Sequence, residues 1–138
     1  MEQEILFRGK TKSGGKWIYG MPTYDFKYIF NDDNLDSPDR YEVNPKTIGL
    51  FSTIYDKNKK RIFAGDLFKL DSEKDLFEVR FEHGCFLAYL KGEQFGILGE
   101  LHTCFIEVVG NIYDNPELLE VAEQLTNSTW SKRTVSLS

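Results

Sequence analysis

The chain has 138 residues, with 17 Lys and Arg against 22 Asp and Glu for a formal net charge of −5. That length suits one domain or two very small lobes, and the acidic balance disfavours a protein that coats DNA or anionic lipid through its overall field. Hydrophobic residues at 41% and aromatics at 14% supply enough buriable area to exclude a disordered chain.

From the N-terminus, the apolar positions recur with a period of two and are rich in Phe, Tyr, Ile and Val, the side chains that pack on a pleated surface. The fold class expected is mainly β. A first strand is expected over Glu4 to Arg8, a turn over Lys10 to Lys16 around Gly14-Gly15, and its hairpin partner at Trp17-Ile18-Tyr19-Gly20. Tyr24 to Phe30 alternates Tyr24, Phe26, Tyr28 and Phe30 against Asp25, Lys27 and Ile29, which reads as a half-buried strand. Asn31 to Arg40, with four Asp, two Asn, a Ser and a Pro, is a solvated loop.

A short strand at Tyr41-Glu42-Val43 and a turn from Pro45 to Leu50 lead into Phe51 to Tyr55. Asp56-Lys57-Asn58-Lys59-Lys60 turns that segment into Arg61-Ile62-Phe63, and Gly65-Asp66 kinks the chain into Leu67 to Leu70. The clearest hairpin joins Leu76 to Glu82 and Cys85 to Leu90 through His83-Gly84, with Phe77, Val79 and Phe81 inside and Glu78 and Arg80 wet. Gly92 to Gly99 reads as a connection, and Cys104 to Tyr113 as a last strand in which Gly110 suits a bulge. Short strands bent by glycine favour a small closed barrel. Asp114 or Asn115 caps a helix over 115–125, with Pro116 at its first position and Leu118, Leu119, Ala122 and Leu125 as its apolar stripe. Residues 126–138 read as a flexible tail.

Three ordered blocks of the sequence resemble the YopX family of small phage and prophage proteins. The first is Phe7-Arg8-Gly9-Lys10 with Trp17-Ile18-Tyr19-Gly20. The second runs from Val43-Asn44-Pro45-Lys46-Thr47-Ile48-Gly49-Leu50-Phe51 through Tyr55-Asp56-Lys57-Asn58 to Arg61-Ile62-Phe63-Ala64-Gly65-Asp66. The third is Glu107-Val108-Val109-Gly110-Asn111-Ile112-Tyr113 followed by Asp114-Asn115-Pro116-Glu117-Leu118-Leu119. The chain departs from the family at Thr53 and Lys59, where glycine is usual, and at Ala64, where an acid commonly precedes Gly-Asp. The resemblance implies an N-terminal β-rich part, here 1–50, followed by a small SH3-like barrel over 51–125. It implies no catalytic reaction and no active-site residues.

Several constellations carry chemistry on paper. His83-x-Cys85 and His102-x-Cys104 use every His and Cys of the chain and each pair shares a strand face, so they could present two imidazoles and two thiolates to zinc. Turn and strand placement favours buried thiols and exposed imidazoles instead, and no metal, disulfide or cofactor is expected. Asp32-x-Asn34-x-Asp36-Ser37 begins like a calcium loop, but Ser37 replaces the glycine and Val43 stands where a bidentate acid belongs. Lys57, Lys59, Lys60 and Arg61, flanked by Phe51, Tyr55 and Phe63, could combine phosphate contact with base stacking. A charged turn that keeps a hairpin soluble explains them at least as well.

No nucleophile elbow and no phosphate loop is present, so an enzyme is not expected. No apolar run reaches the roughly 18 residues of a membrane span, and Met1-Glu2-Gln3-Glu4 is acidic where a secretory signal is basic. A cytoplasmic location in a bacterial host is expected. The reading that follows is a phage or prophage protein acting through protein contacts, a homo-oligomer with a host or phage protein as a further partner. Nucleic-acid binding through Lys57 to Arg61 is the alternative.

Overall fold

The computed structural model describes residues 4–31, 39–71 and 74–119. It divides into two compact units, the first formed by residues 1–55 and 61–64 and the second by residues 56–60 and 65–138. The division expected after residue 50 therefore moves. Residues 49–55 pair with the first strand, residues 61–63 pair in turn with 49–55, and both belong to the first unit.

The first unit is one antiparallel sheet. Its strands are β1 (Phe7–Lys10), β2 (Trp17–Pro22), β3 (Tyr28–Asn31), β4 (Arg40–Glu42), β5 (Gly49–Tyr55) and β6 (Arg61–Phe63), in the order β4-β3-β2-β1-β5-β6. The registers Gly9↔Ile18, Pro22↔Ile29 and Ile29↔Tyr41 put Ile18, Ile29 and Tyr41 on one face, where they pack with Val43 and Ile48. The opposite face buries Leu6, Phe51 and Phe63.

The strand expected from Tyr24 to Phe30 is corrected here. Thr23 Oγ1 donates to Asp25 Oδ1, which also accepts the Lys27 N–H, while the Phe26 N–H donates to the Thr23 carbonyl and Phe26 takes a φ of 58°. These local bonds compete with a strand ladder, so the strand begins only at Tyr28. Its face is also inverted, with Ile29 fully buried, Tyr24 fully exposed and Phe30 exposed. The loop expected over 31–40 lies for the most part outside the described residues, as does the calcium-like run within it.

The second unit is a five-stranded antiparallel sheet. It comprises β7 (Asp66–Leu70), β8 (Phe77–Glu82), β9 (Cys85–Leu90), β10 (Glu93–Ile97) and β11 (Ile106–Asn111), in the order β10-β9-β8-β7-β11. The β8–β9 hairpin turns at His83 and Gly84, whose φ angles of 54° and 75° are the two left-handed positions that a two-residue hairpin needs. At Gly110 the register of β11 against β7 shifts, the expected bulge, and a side chain there would run into Asn115 Oδ1.

Phe68 stacks on Phe77 at 5.1 Å, and both are buried with Val79, Ala88 and Ile106. Phe81, expected inside, is 44% exposed and leans on Phe86 at 4.6 Å. It sits one residue from the end of its strand, beside the turn. The run 92–99, expected as a connection, contains β10, and the 3₁₀ turns Leu98–Glu100 and Thr103–Phe105 lead from it to β11. Cys104 therefore lies in a 3₁₀ turn and is exposed, not buried in the last strand.

The mainly β architecture is the one expected, yet the second sheet stays open. Closing it would require β10 and β11, its two edges, to pair. Instead the outward side of β11 is engaged by residues 56–60: the Lys57 N–H donates to the Ile106 carbonyl and the Val108 N–H to Asp56 Oδ2. Residues 116–119 form a single helical turn after Asn115, with Pro116 at its first position. The remainder of the expected helix and the tail to Ser138 lie outside the described residues.

Candidate functional site

The residues singled out for chemistry in the sequence are four cations, Lys57, Lys59, Lys60 and Arg61, and the turn that presents the first three is built around one carboxylate. Asp56 is 5% exposed. Its Oδ1 accepts the N–H groups of Asn58 at 2.8 Å and Lys60 at 2.9 Å, and its Oδ2 accepts that of Val108 at 3.0 Å. The Asp56 N–H in turn donates to the Lys60 carbonyl, and the Lys59 N–H to the Asp56 carbonyl. An aspartate that bonds its own backbone two residues on shapes a turn as a backbone group would. Lys59 closes it at a φ of 63°.

Two of the four cations are already neutralised. Lys57 Nζ lies 2.7 Å from Asp71 Oδ1 and 4.0 Å from Glu107 Oε2, and the hydrogen bond to Asp71 holds its ammonium above the usual lysine range. Arg61, in the first unit, grips Glu4 with two donors, Nε to Oε1 at 3.0 Å and Nη2 to Oε2 at 2.8 Å. That pairing holds the Glu4 carboxyl below its ordinary value, and a hydrogen bond from the Tyr55 hydroxyl to Glu4 Oε1 adds to it. Lys59 and Lys60 are exposed, with no ion pair among the described residues. Of the three flanking rings, Phe51 and Phe63 are each 2% exposed and have no face open to a base, whereas Tyr55 is exposed.

The four candidate zinc ligands are placed in the second unit. His83 stands in the β8–β9 turn and Cys85 at the start of β9, its thiol on the Phe86 carbonyl. His102 precedes the 3₁₀ turn holding Cys104 and meets Phe105 edge-on. Among the described residues no group of three or more His, Cys, Asp and Glu is gathered as a metal site. Val43, at the twelfth position of the calcium-like run, is fully buried.

Two clusters were not foreseen in the sequence. On β1, Arg8 is 5% exposed, its guanidinium 4.5 Å from the Trp17 ring and 4.7 Å from that of Phe63. Alternation with Phe7 could have placed it on a face, but the ring it meets on β6 is set only by the fold. On β8 and β9, Arg80 donates to Glu78 at 3.2 Å and lies 4.0 Å over the Tyr89 ring, whose hydroxyl donates to Glu82. The bond to Glu82 pushes the Tyr89 phenol up, and Glu78 raises the Arg80 guanidinium further. Every member of this group is engaged by another, so it holds a surface together.

The second unit also leaves several large apolar side chains bare. Phe81, Phe95, Ile97 and Phe105 are all exposed, and two of the four lie on β10. Strand backbone and side chains open on one edge form a surface suited to pairing with another strand.

A search of curated proteins found no match. Among solved structures, the crystal structure of protein EF1440 from Enterococcus faecalis is similar, with a TM-score of 0.62 and 22% identity, covering 86% of this chain and 99% of that one. At that identity the likeness is one of fold. The profile of the family described as YopX protein matches residues 6–120, which takes in both units and all the described strands. This chain belongs to the YopX family.

Proposed function

We propose that the chain is a phage- or prophage-encoded, non-enzymatic module that acts in the bacterial cytoplasm by binding proteins, its own copies among them. One observation carries the reading: the edge strand β10 is exposed along four of its five residues, Phe95 and Ile97 included. Small domains enclose little volume for their surface and leave rings outside, and exposed apolar side chains at an unpaired edge favour association. The engaged Arg80 group and the scattered His and Cys support a binding role over a catalytic one.

The alternative, a nucleic-acid accessory protein using the basic turn, draws less support, because Lys57 and Arg61 already have carboxylate partners and two of the neighbouring rings are buried. Light scattering at micromolar concentration tests both. A homo-oligomer that is unchanged by Lys59→Glu with Lys60→Glu is expected, with no salt-dependent retention on single- or double-stranded DNA. A monomer whose DNA retention is lost in the same double variant would overturn the proposal, since each cation removed takes phosphate contacts with it.

A further inference from the structure

Asp56–Lys60 belong to the second unit together with β11, and the backbone N–H groups of these five residues can be accounted for one by one. That of Asp56 donates to the Lys60 carbonyl, that of Lys59 to the Asp56 carbonyl, and those of Asn58 and Lys60 to Asp56 Oδ1. Only the Lys57 N–H leaves the turn, and it is spent on the Ile106 carbonyl at 2.9 Å. Asp56 Oδ2 takes the Val108 N–H in exchange. The segment therefore meets β11 as a strand would, yet passes no donor on. A ladder needs donors as well as acceptors, so it stops here. Lys59 and Lys60 stay exposed on the segment, and lysine is a residue that blunts edges.

We infer that Asp56–Lys60 is a releasable plug: it closes the β11 edge from Ile106 to Val108 to other strands, and its release lets copies of this chain join there. The inference goes beyond the self-association proposed above, which needs no release, and it stands or falls apart from it. Glu107 pairs with Lys69 of β7, so the Ile106 carbonyl and the Val108 N–H on either side of it both point away from the sheet. Opening bares them together, the acceptor and donor with which an antiparallel strand adds. Asn115 covers the far end of β11 by accepting the Asn111 N–H, and the plug governs the near end alone.

Little holds the plug besides those two backbone groups. The Lys57 ammonium lies 2.7 Å from Asp71 Oδ1 and 4.0 Å from Glu107 Oε2, and ion pairs open to solvent are weak. The closed turn also keeps Lys59 at a φ of 63°, backbone that a side chain disfavours. A segment held by few contacts opens locally while the sheet beneath it stays folded.

The test follows the Val108 amide by hydrogen exchange in the full chain, beside that of Val79 on the inner strand β8. Lys57→Glu sets like charge against Asp71 and Glu107 and leaves the Asp56 bonds in place. Asp56→Ala removes the acceptor of the Val108 N–H itself. Relative to Val79, Val108 exchange should quicken about fivefold in the first and about tenfold in the second. Light scattering should show both variants growing in mass with concentration beyond the parent, and concentrated samples should protect Val108 again. Urea melts check folding, and Lys57→Glu, a surface change, decides the matter if Asp56→Ala does not fold. Val108 and Val79 quickening together would show that the plug opens only when the sheet unfolds, and would overturn the inference. Variants with an exposed Val108 whose mass stays that of the parent would overturn it too. A parent that is monomeric at all concentrations overturns the self-association proposed above and leaves the plug standing.

Discussion

Asp56 Oδ2 accepts the backbone N–H of Val108 at 3.0 Å across 52 residues of chain. The same carboxylate holds the N–H groups of Asn58 and Lys60 with its other oxygen, so one side chain both shapes a turn and occupies the edge of β11. Asp56→Ala should cost about 2 to 4 kcal/mol, because it strands a buried N–H and removes charge-assisted bonds. Asp56→Asn should fall between the two, since it keeps one acceptor oxygen but points a donor at another donor. Urea denaturation measures both, and a loss below about 1 kcal/mol for the alanine variant would show that the turn holds without its carboxylate.

Thr53 and Lys59, the positions where the family usually has glycine, take φ angles of 67° and 63°. Left-handed backbone costs a side-chain-bearing residue about 1 to 2 kcal/mol, partly offset in glycine by the greater freedom of its unfolded state. Thr53 is the harsher case, being β-branched, and it lies where the register of β5 against β6 shifts. Thr53→Gly and Lys59→Gly should each stabilise by about 0.5 to 1 kcal/mol, read as a higher melting temperature. Thr53→Ala, which keeps the Cβ, should recover little. Destabilisation by both glycines would count against strain at these sites.

Phe77 and Phe81 lie on one face of β8, four residues apart, with exposures of 1% and 44%. Phe77 stacks on Phe68 and meets Phe95 edge-on. Removing a ring from a packed site loses its transfer energy and leaves a cavity, so Phe77→Ala should cost about 3 to 5 kcal/mol. Phe81→Ala should cost about 1 kcal/mol, most of it the contact with Phe86. Equal losses in matched urea melts would contradict the burial seen here.

The Arg61 guanidinium holds Glu4 ionised below the ordinary glutamate range. A carboxyl whose folded value is depressed contributes stability that is fully present above its unfolded value and is lost as pH falls through the folded one. For Glu4 that loss begins below a pH of about 4.5. Arg61→Gln should return the Glu4 titration toward the ordinary value and flatten this part of the acid limb. Carboxyl-detected NMR titration of both proteins reads the change directly, and an unmoved Glu4 would show that the pair does not persist in solution.

What the sequence by itself determined was whatever depends on near neighbours. The His83-Gly84 turn, the bulge at Gly110, the turn over Asp56 to Lys60 and the β8–β9 hairpin are specified by φ preferences, turn chemistry and a period of two within a few residues. The family resemblance could be read from three ordered blocks for the same reason. Alternation reveals that a strand has two unlike faces, but not which one is covered. For Ile29 and Phe30 that choice was made by pairing with Pro22 and Tyr41, and for Phe81 by its place at the end of a strand. Charge reads as surface in a sequence, yet Arg8 lies between Trp17 and Phe63, and Asp56 is buried against Val108. Only the tertiary structure decided these, because the partner that desolvates or satisfies each group is brought from a distant part of the chain by strand pairing.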